Sequence, residues 1–322
     1  MRVLIALAAV TAVTTGVQHA SAQNYPERSV RVVVNFPPGG STDFSARLLA
    51  QHMPRTLGQT LVIDNRGGAG GNIGADIVAK SPPDGYTLLV TAEGPITIAL
   101  GLYPKLPYNP LRDLAPITQL IKYANVLVAN PTLKMSSTKD LLAAAKAQPG
   151  KLAYAHPGIG TNPHLGAELF KQMGGVDMIG VAYKGGGPAI VGVIGNEAQV
   201  SFATAPSSIP HVKSGRLRAL AVTSGQRSAA LPDLPTISES GVPGYDVIGW
   251  VGFFAPTKTP AKIIARLQDE AAKVMRLPEV KEAVLASGSE TVGNPSAELA
   301  RIMQAENAMW AKVIKSVGVK VE

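Results

Sequence analysis

The chain has 322 residues and a formal charge of +8, with Lys and Arg outnumbering Asp and Glu by 30 to 22, and it contains no cysteine. That composition excludes disulfides and a lipid-modified amino terminus, so stability must come from buried apolar surface, which a chain of this length divides between two domains. An aromatic content of 5% without any dense Lys/Arg run speaks against a nucleic-acid surface, and the modest basic excess fits an anionic small molecule or plain solubility.

Residues 1–22 read as a signal peptide. Met1-Arg2 gives the positive end, Val3 to Val17 is apolar and uncharged, and Ala20-Ser21-Ala22 is a small-residue cleavage site. No later run reaches about 18 apolar residues, so no stable membrane insertion is expected. The expectation is a periplasmic protein cleaved after Ala22.

From there, β-rich runs alternate with helical patterns. The runs are Val30 to Asn35, Leu61 to Asp64, Thr87 to Thr91, Ala124 to Ala129, Leu152 to Ala155, Ile179 to Tyr183, Val200 to Ala203, Leu217 to Thr223 and Val247 to Phe254. Such alternation implies mainly parallel sheets covered on both faces. The first run ends in Phe36-Pro37-Pro38-Gly39-Gly40-Ser41-Thr42-Asp43, and Phe44, Leu48, Leu49 and Met53 then recur at helical spacing. Much later, Tyr183-Lys184-Gly185-Gly186-Gly187-Pro188 repeats the arrangement, with Pro188 suited to a first helical position. Glycine admits a ligand close to the backbone, and the free N–H groups of a helix's first turn point at an anion placed there. Each loop taken alone fits an ordinary strand-to-helix turn equally well.

Pro-rich punctuation from Tyr103 to Pro110 reads as a non-helical approach to a crossover strand, Ile121 to Val128. The return is expected near Leu217 to Thr223, with Val247 to Phe254 as the rival crossing. The domain expectation is therefore one discontinuous lobe over residues 23–123 and 224–322, and a second over 124–223. Pro260 opens a helix over Ala261 to Arg276, Pro278 opens a shorter one to Ala286, and Ala297 to Val313 closes the chain.

Other chemistries find little support. Gly68, Gly70 and Gly74 miss the G-x-G-x-x-G spacing by one residue, so Asn65 to Gly74 reads as a structural turn before Ile77 and Val78. After residue 22 the sequence has only four histidines, His52, His156, His164 and His211, and no G-x-S-x-G elbow, so no catalytic set is expected. His156 and His164 have no third ligand at metal spacing, and neither a metal nor another cofactor is expected.

Several ordered signatures carry a more specific resemblance. They are the Phe36 to Asp43 loop, Asp64-Asn65-Arg66-Gly67-Gly68-Ala69-Gly70-Gly71-Asn72-Ile73-Gly74, Ser81-Pro82-Pro83-Asp84-Gly85-Tyr86, Gly158-Ile159-Gly160-Thr161 with His164-Leu165, the Tyr183 to Pro188 loop, Gly215 to Thr223 and Gly249 to Pro256. In that order, from about Tyr25 to Val319, the chain resembles the Bug-type receptors of tripartite tricarboxylate transporters. The resemblance implies a type II periplasmic-binding-protein-like α/β fold, two lobes on a two-strand hinge that close over a small carboxylate like a Venus flytrap. It implies a monomer that passes its ligand to membrane permease subunits and performs no catalysis. A ligand sensor for a membrane signalling partner and a secreted carboxylate-processing enzyme are the alternatives. Carried over by position, Phe36, Gly39, Gly40, Ser41, Thr42 and Asp43 form one clamp. Tyr183, Lys184, Gly185, Gly186 and Gly187 form the other, and Gly160, Thr161 and His164 line the cleft.

Two departures from the family pattern bear on the ligand. Ala92-Glu93-Gly94-Pro95 follows Thr91 where small or amide residues are usual, and Ala203-Thr204 replaces the usual Asp-Asn. Glu93 follows a strand at its carboxyl end, where residues face a cleft, and its complement there is a cation or an N–H donor. A nearby Lys or Arg, or solvent, would satisfy it equally well. Thr204 joins the expected ligand-binding residues on the same positional ground.

Overall fold

The computed structural model describes residues 25–321, so the expected signal peptide and its cleavage point lie outside the described residues. Among the described residues ten strands form the framework: β1 (Val30–Val34), β2 (Leu61–Asn65), β3 (Thr87–Ala92), β4 (Leu114–Ala129), β5 (Ala153–His156), β6 (Ile179–Ala182), β7 (Val200–Thr204), β8 (Arg218–Val222), β9 (Ile248–Pro256) and β10 (Glu290–Thr291). Their order is β2-β1-β3-β9-β4-β7-β5-β6, with β8 and β10 also pairing with β4. β1 is parallel to both β2 and β3, and β5 to both β6 and β7; every pairing made by β4 or β9 is antiparallel. β1 is Val-Arg-Val-Val-Val with all four valines fully buried, as a strand covered by helices on both faces requires.

β4 joins the two halves. Its first part, Leu114–Ala124, lies against β9, whereas Asn125–Ala129 pairs with β7 and Val126–Ala129 with β8. The strand begins at Leu114, seven residues before the expected Ile121, and its approach is not wholly irregular. Pro110–Asp113 is a helical turn, started by Pro110 in the first position and capped by the Asn109 side chain.

The expected return near Leu217 to Thr223 coincides with β8 (Arg218–Val222). After β8, the backbone N–H of Val247 donates to Thr223 O and the Tyr245 hydroxyl to Gly166 O, while Ile237, Val242, Tyr245 and Val247 join the core around Phe170 and Phe202. Residues 224–247 therefore pack with the second half of the sheet. β9, in the rival segment, starts beside Ala124 of β4 and runs alongside β3.

Helices Ser41–His52, Asn72–Ala79, Thr138–Ala147, Asn162–Gly174, Gly186–Ile194, Ala205–Lys213, Ala261–Arg276, Pro278–Ala286 and Ser296–Val317 cover the sheet. The Gly186 helix starts two residues before the expected Pro188, which falls in the first turn, where its missing N–H costs nothing. In the final helix, Leu299 and Met303 pack beside Trp250, whereas Trp310 and Ile314 pack into the core of the second half. Asn65 to Gly74 is a structural turn: Gly70 and Gly71 have positive φ, and a Cβ on Gly71 would lie 2.6 Å from the Asn35 amide.

Candidate functional site

Sequence places five helix starts around one cleft. Gly40, Ser41 and Thr42 line it at the start of the Ser41 helix, and Gly94 at the start of a short turn that follows β3. From the opposite half come Thr161, Asn162 and Pro163 at the start of the Asn162 helix, Gly186 at the start of its own helix, and Thr204 before the Ala205 helix. None of the five is capped by a side-chain hydrogen bond. Pro95, Pro163, Pro188 and Pro206 carry no N–H, and Ile96 and Thr97 donate to Glu93 O. The N–H groups left for an anion are those at the starts of the Ser41, Asn162, Gly186 and Ala205 helices and that of Gly94; the helix dipoles favour negative charge at the same place. Phe36, Ala92, Glu93, Tyr123 and Pro157 complete the lining, which contains no Lys, Arg or His.

The hydroxyls around this cleft are already oriented. Ser41 Oγ lies 3.2 Å from the Tyr123 hydroxyl, Thr161 Oγ1 donates to Gly158 O at 2.7 Å, and Thr204 Oγ1 lies 2.8 Å from Ser207 Oγ. Asn162 accepts from Asn125 Nδ2 and donates to Ile248 O, while Asn125 Oδ1 is buried without a partner. Cleft and hinge strands therefore share one polar network.

Glu93 is 1% exposed, and its Oε2 accepts from the backbone N–H of Trp250 at 3.2 Å. Neither sequence-level alternative describes it, since it faces away from solvent and forms no ion pair with a Lys or Arg among the described residues. Burial pushes its carboxyl up to about 8; the nearby Glu306 adds to the rise, and the N–H groups of Glu93 itself and Trp250 oppose it. Burial also raises Glu306, to about 7, although it accepts from Trp250 Nε1 and from Thr97 Oγ1.

Of the residues expected from sequence, Phe36, Gly40, Ser41, Thr42, Glu93, Thr161, Gly186 and Thr204 meet at the cleft. The others lie outside its lining. Asp43 accepts from Gly39 N, Arg47 and Asn65, which fixes the first loop from its far side, and Arg47 heads the partners that hold its carboxyl below the usual range against the opposing effect of burial. His164 lies under the Gly158 to Thr161 turn, with its ring 4.4 Å from that of His156 and Nδ1 accepting from Gly160 N at 3.4 Å. Burial lowers both histidines to about 4, so they are neutral near neutral pH. Among the described residues no cluster of His, Asp and Glu could hold a metal.

In the second loop, the Tyr183 hydroxyl turns outward to Glu197, and Tyr183 and Lys184 line a separate rim crevice. Gly185 and Gly187 meet the first loop directly: added Cβ atoms would lie 2.9 Å from Pro37 Cδ and 3.1 Å from Pro38 O. The two glycine loops are in contact across the cleft. Tyr123, Asn162, Pro163, Pro157, Ala92 and Gly94 line the cleft without having been among the ligand-binding residues expected from sequence. The sequence signal for Asn162 and Pro163 was their place between Thr161 and His164, whereas nothing distinguishes Tyr123 within its apolar strand.

A family model described as "Tripartite tricarboxylate transporter family receptor" matches residues 45–319. The chain belongs to this receptor family. BugT of Bordetella pertussis is 38% identical over 321 residues, covering 99% of this chain and 98% of BugT. Among solved structures, Rpa4515 of R. palustris with adipate is 36% identical with a TM-score of 0.89, covering 92% of this chain and 99% of that one. The periplasmic binding protein BugD is 34% identical with a TM-score of 0.88, at 92% and 100% coverage. MatC (Rpa3494) of Rhodopseudomonas palustris with malate is 31% identical with a TM-score of 0.86, at 90% and 100% coverage. The tripartite tricarboxylate transporter receptors are periplasmic solute-binding proteins, and this member is a Bug-type solute receptor with the two-lobed binding-protein fold.

Proposed function

We propose that this receptor captures a small carboxylate in the cleft, leaves it chemically unchanged and delivers it to tripartite permease subunits from the periplasm, as a monomer released from its signal peptide after Ala22. The observation that carries the reading is the convergence of five uncapped helix starts on a cleft without a cationic side chain, so that backbone N–H groups supply the anion's hydrogen bonds. The adipate and malate held by the two R. palustris relatives support the ligand class. In this reading Ser41, Thr42 and Gly186 present N–H groups from opposite lobes, while Thr161, Asn162 and Thr204 shape the remaining wall. We assign residues 25–123 and the chain after 247 to the first lobe and 124–247 to the second, on the pairing of β4 and the packing of residues 224–247.

A thermal-shift panel of aliphatic mono- and dicarboxylates tests the reading. A true ligand at 100 times its dissociation constant stabilises the fold by about 2.7 kcal/mol. Calorimetry of that ligand should give one site and mass spectrometry should return it unaltered. A panel without any shift, or turnover of any member, overturns the proposal.

A further inference from the structure

Glu93 is a buried carboxyl at the wall of a cleft built from N–H groups, a position that ought to repel the anion those groups attract. Its surroundings resolve the conflict. Trp250 N–H donates to Oε2, and no Lys, Arg or His among the described residues acts on the carboxyl. The titratable groups that face it are Tyr123 from β4 and Glu306 from the final helix; β9 contributes only the Trp250 backbone, and the Ser41 and Asn162 helices present no charged side chain to the cleft. Glu306 stands on the other side of Trp250, with Nε1 of that residue 2.9 Å from each of its carboxylate oxygens. An ionised Glu93 would have a second carboxylate behind it, an anionic ligand in front and, among the described residues, no cation beside it.

Resting on the carboxylate reading above, we propose that Glu93 meets the ligand as a neutral acid and donates its O–H to the bound carboxylate, so that binding draws a proton from solvent wherever Glu93 is ionised in the free protein. The residue then sets specificity by charge state. It accepts a carboxylate as a hydrogen-bond acceptor and gives no anionic partner to a ligand ammonium. The position of its carboxyl near 8 in the free protein places the onset of proton uptake just above neutrality.

The experiment has two arms. Carboxyl ¹³C titration of the free protein, assigned by comparison with Glu93→Gln, should show a glutamate that titrates several units above an ordinary one. Calorimetry with adipate, malate and L-glutamate should show dicarboxylate affinity level below about pH 7 and falling about tenfold per unit well above pH 8, with proton uptake read from buffers of different ionisation enthalpy. Glu93→Gln keeps an N–H donor in place, so it should bind the dicarboxylates within a few-fold of wild type while losing both the slope and the uptake.

A Glu93 carboxyl that titrates below pH 5 overturns the proposal. So does a Gln variant that loses binding while wild type prefers L-glutamate with rising pH, the result expected of an ionised Glu93 paired with a ligand cation. If none of the carboxylates binds, the ligand reading falls, and the titration decides the state of Glu93 on its own.

Discussion

Gly187 lies on the first turn of its helix with an ordinary backbone conformation, yet a Cβ there would stand 3.1 Å from Pro38 O on the opposite glycine loop. Gly187→Ala therefore obstructs the approach of one loop to the other while raising local helix propensity. We expect ligand affinity to fall about tenfold, or about 1.4 kcal/mol, with the melting temperature of the free protein unchanged or higher. Calorimetry beside a melting curve checks this, and unchanged affinity would mean that binding tolerates parted loops. Glycine spacing marked both loops in the sequence because a missing side chain is itself visible there. The same signal could not separate Gly186, which faces the cleft, from Gly185 and Gly187, which face Pro37 and Pro38. Nor could it find Tyr123, whose role depends on a neighbour from another strand.

That neighbour is Gly249, across the β4–β9 ladder, and a Cβ on it would come within 2.5 Å of the Tyr123 ring. Tyr123 is buried with its hydroxyl beside Ser41, so the ring has little room to yield. Gly249→Ala should cost about 1–3 kcal/mol by overpacking, measured by chemical denaturation. It should also weaken ligand binding, because the displaced ring shifts the start of the Ser41 helix. A variant with full stability and affinity would show that the two hinge strands can slide apart locally. Alternating β and helical patterns located nearly every strand, since burial on both faces leaves runs such as Val30 to Val34. The full length of β4 and the affiliation of residues 224–247 were hidden for a different reason. Both depend on which strands pair at long range, and a proline-rich approach obscured the start of β4 at Leu114.

Over the whole molecule, two buried pairs oppose each other as pH changes. Glu93 and Glu306 hold protons in the folded state up to about 8 and 7, well above their ordinary 4.5, so they weaken the fold as pH rises across that interval. His156 and His164 are held down to about 4 from 6.5, so the unfolded chain binds more protons than the folded one between those values, and stability falls as pH drops. Between about pH 4.5 and 6.5 the two slopes offset each other. The free protein should show a broad stability plateau there and a decline from pH 6.5 to 8. Denaturant unfolding at stepped pH measures the curve. Glu93→Gln should flatten its alkaline limb, and a variant that leaves that limb unaltered would remove Glu93 from the balance.

Trp250 is one of only two tryptophans in the chain, the other being Trp310. Its backbone N–H touches Glu93 and its indole N–H touches Glu306, so a residue without charge of its own connects the cleft wall to the final helix. An indole in hydrogen-bond contact with a titrating carboxyl changes its emission when that carboxyl gains or loses a proton. The emission of Trp250 should therefore follow the titration of Glu306. With Trp310 replaced by Phe, a solute that fixes the proton on Glu93, the carboxylate neighbour of Glu306, should move the pH at which the remaining fluorophore changes, all in unlabelled protein.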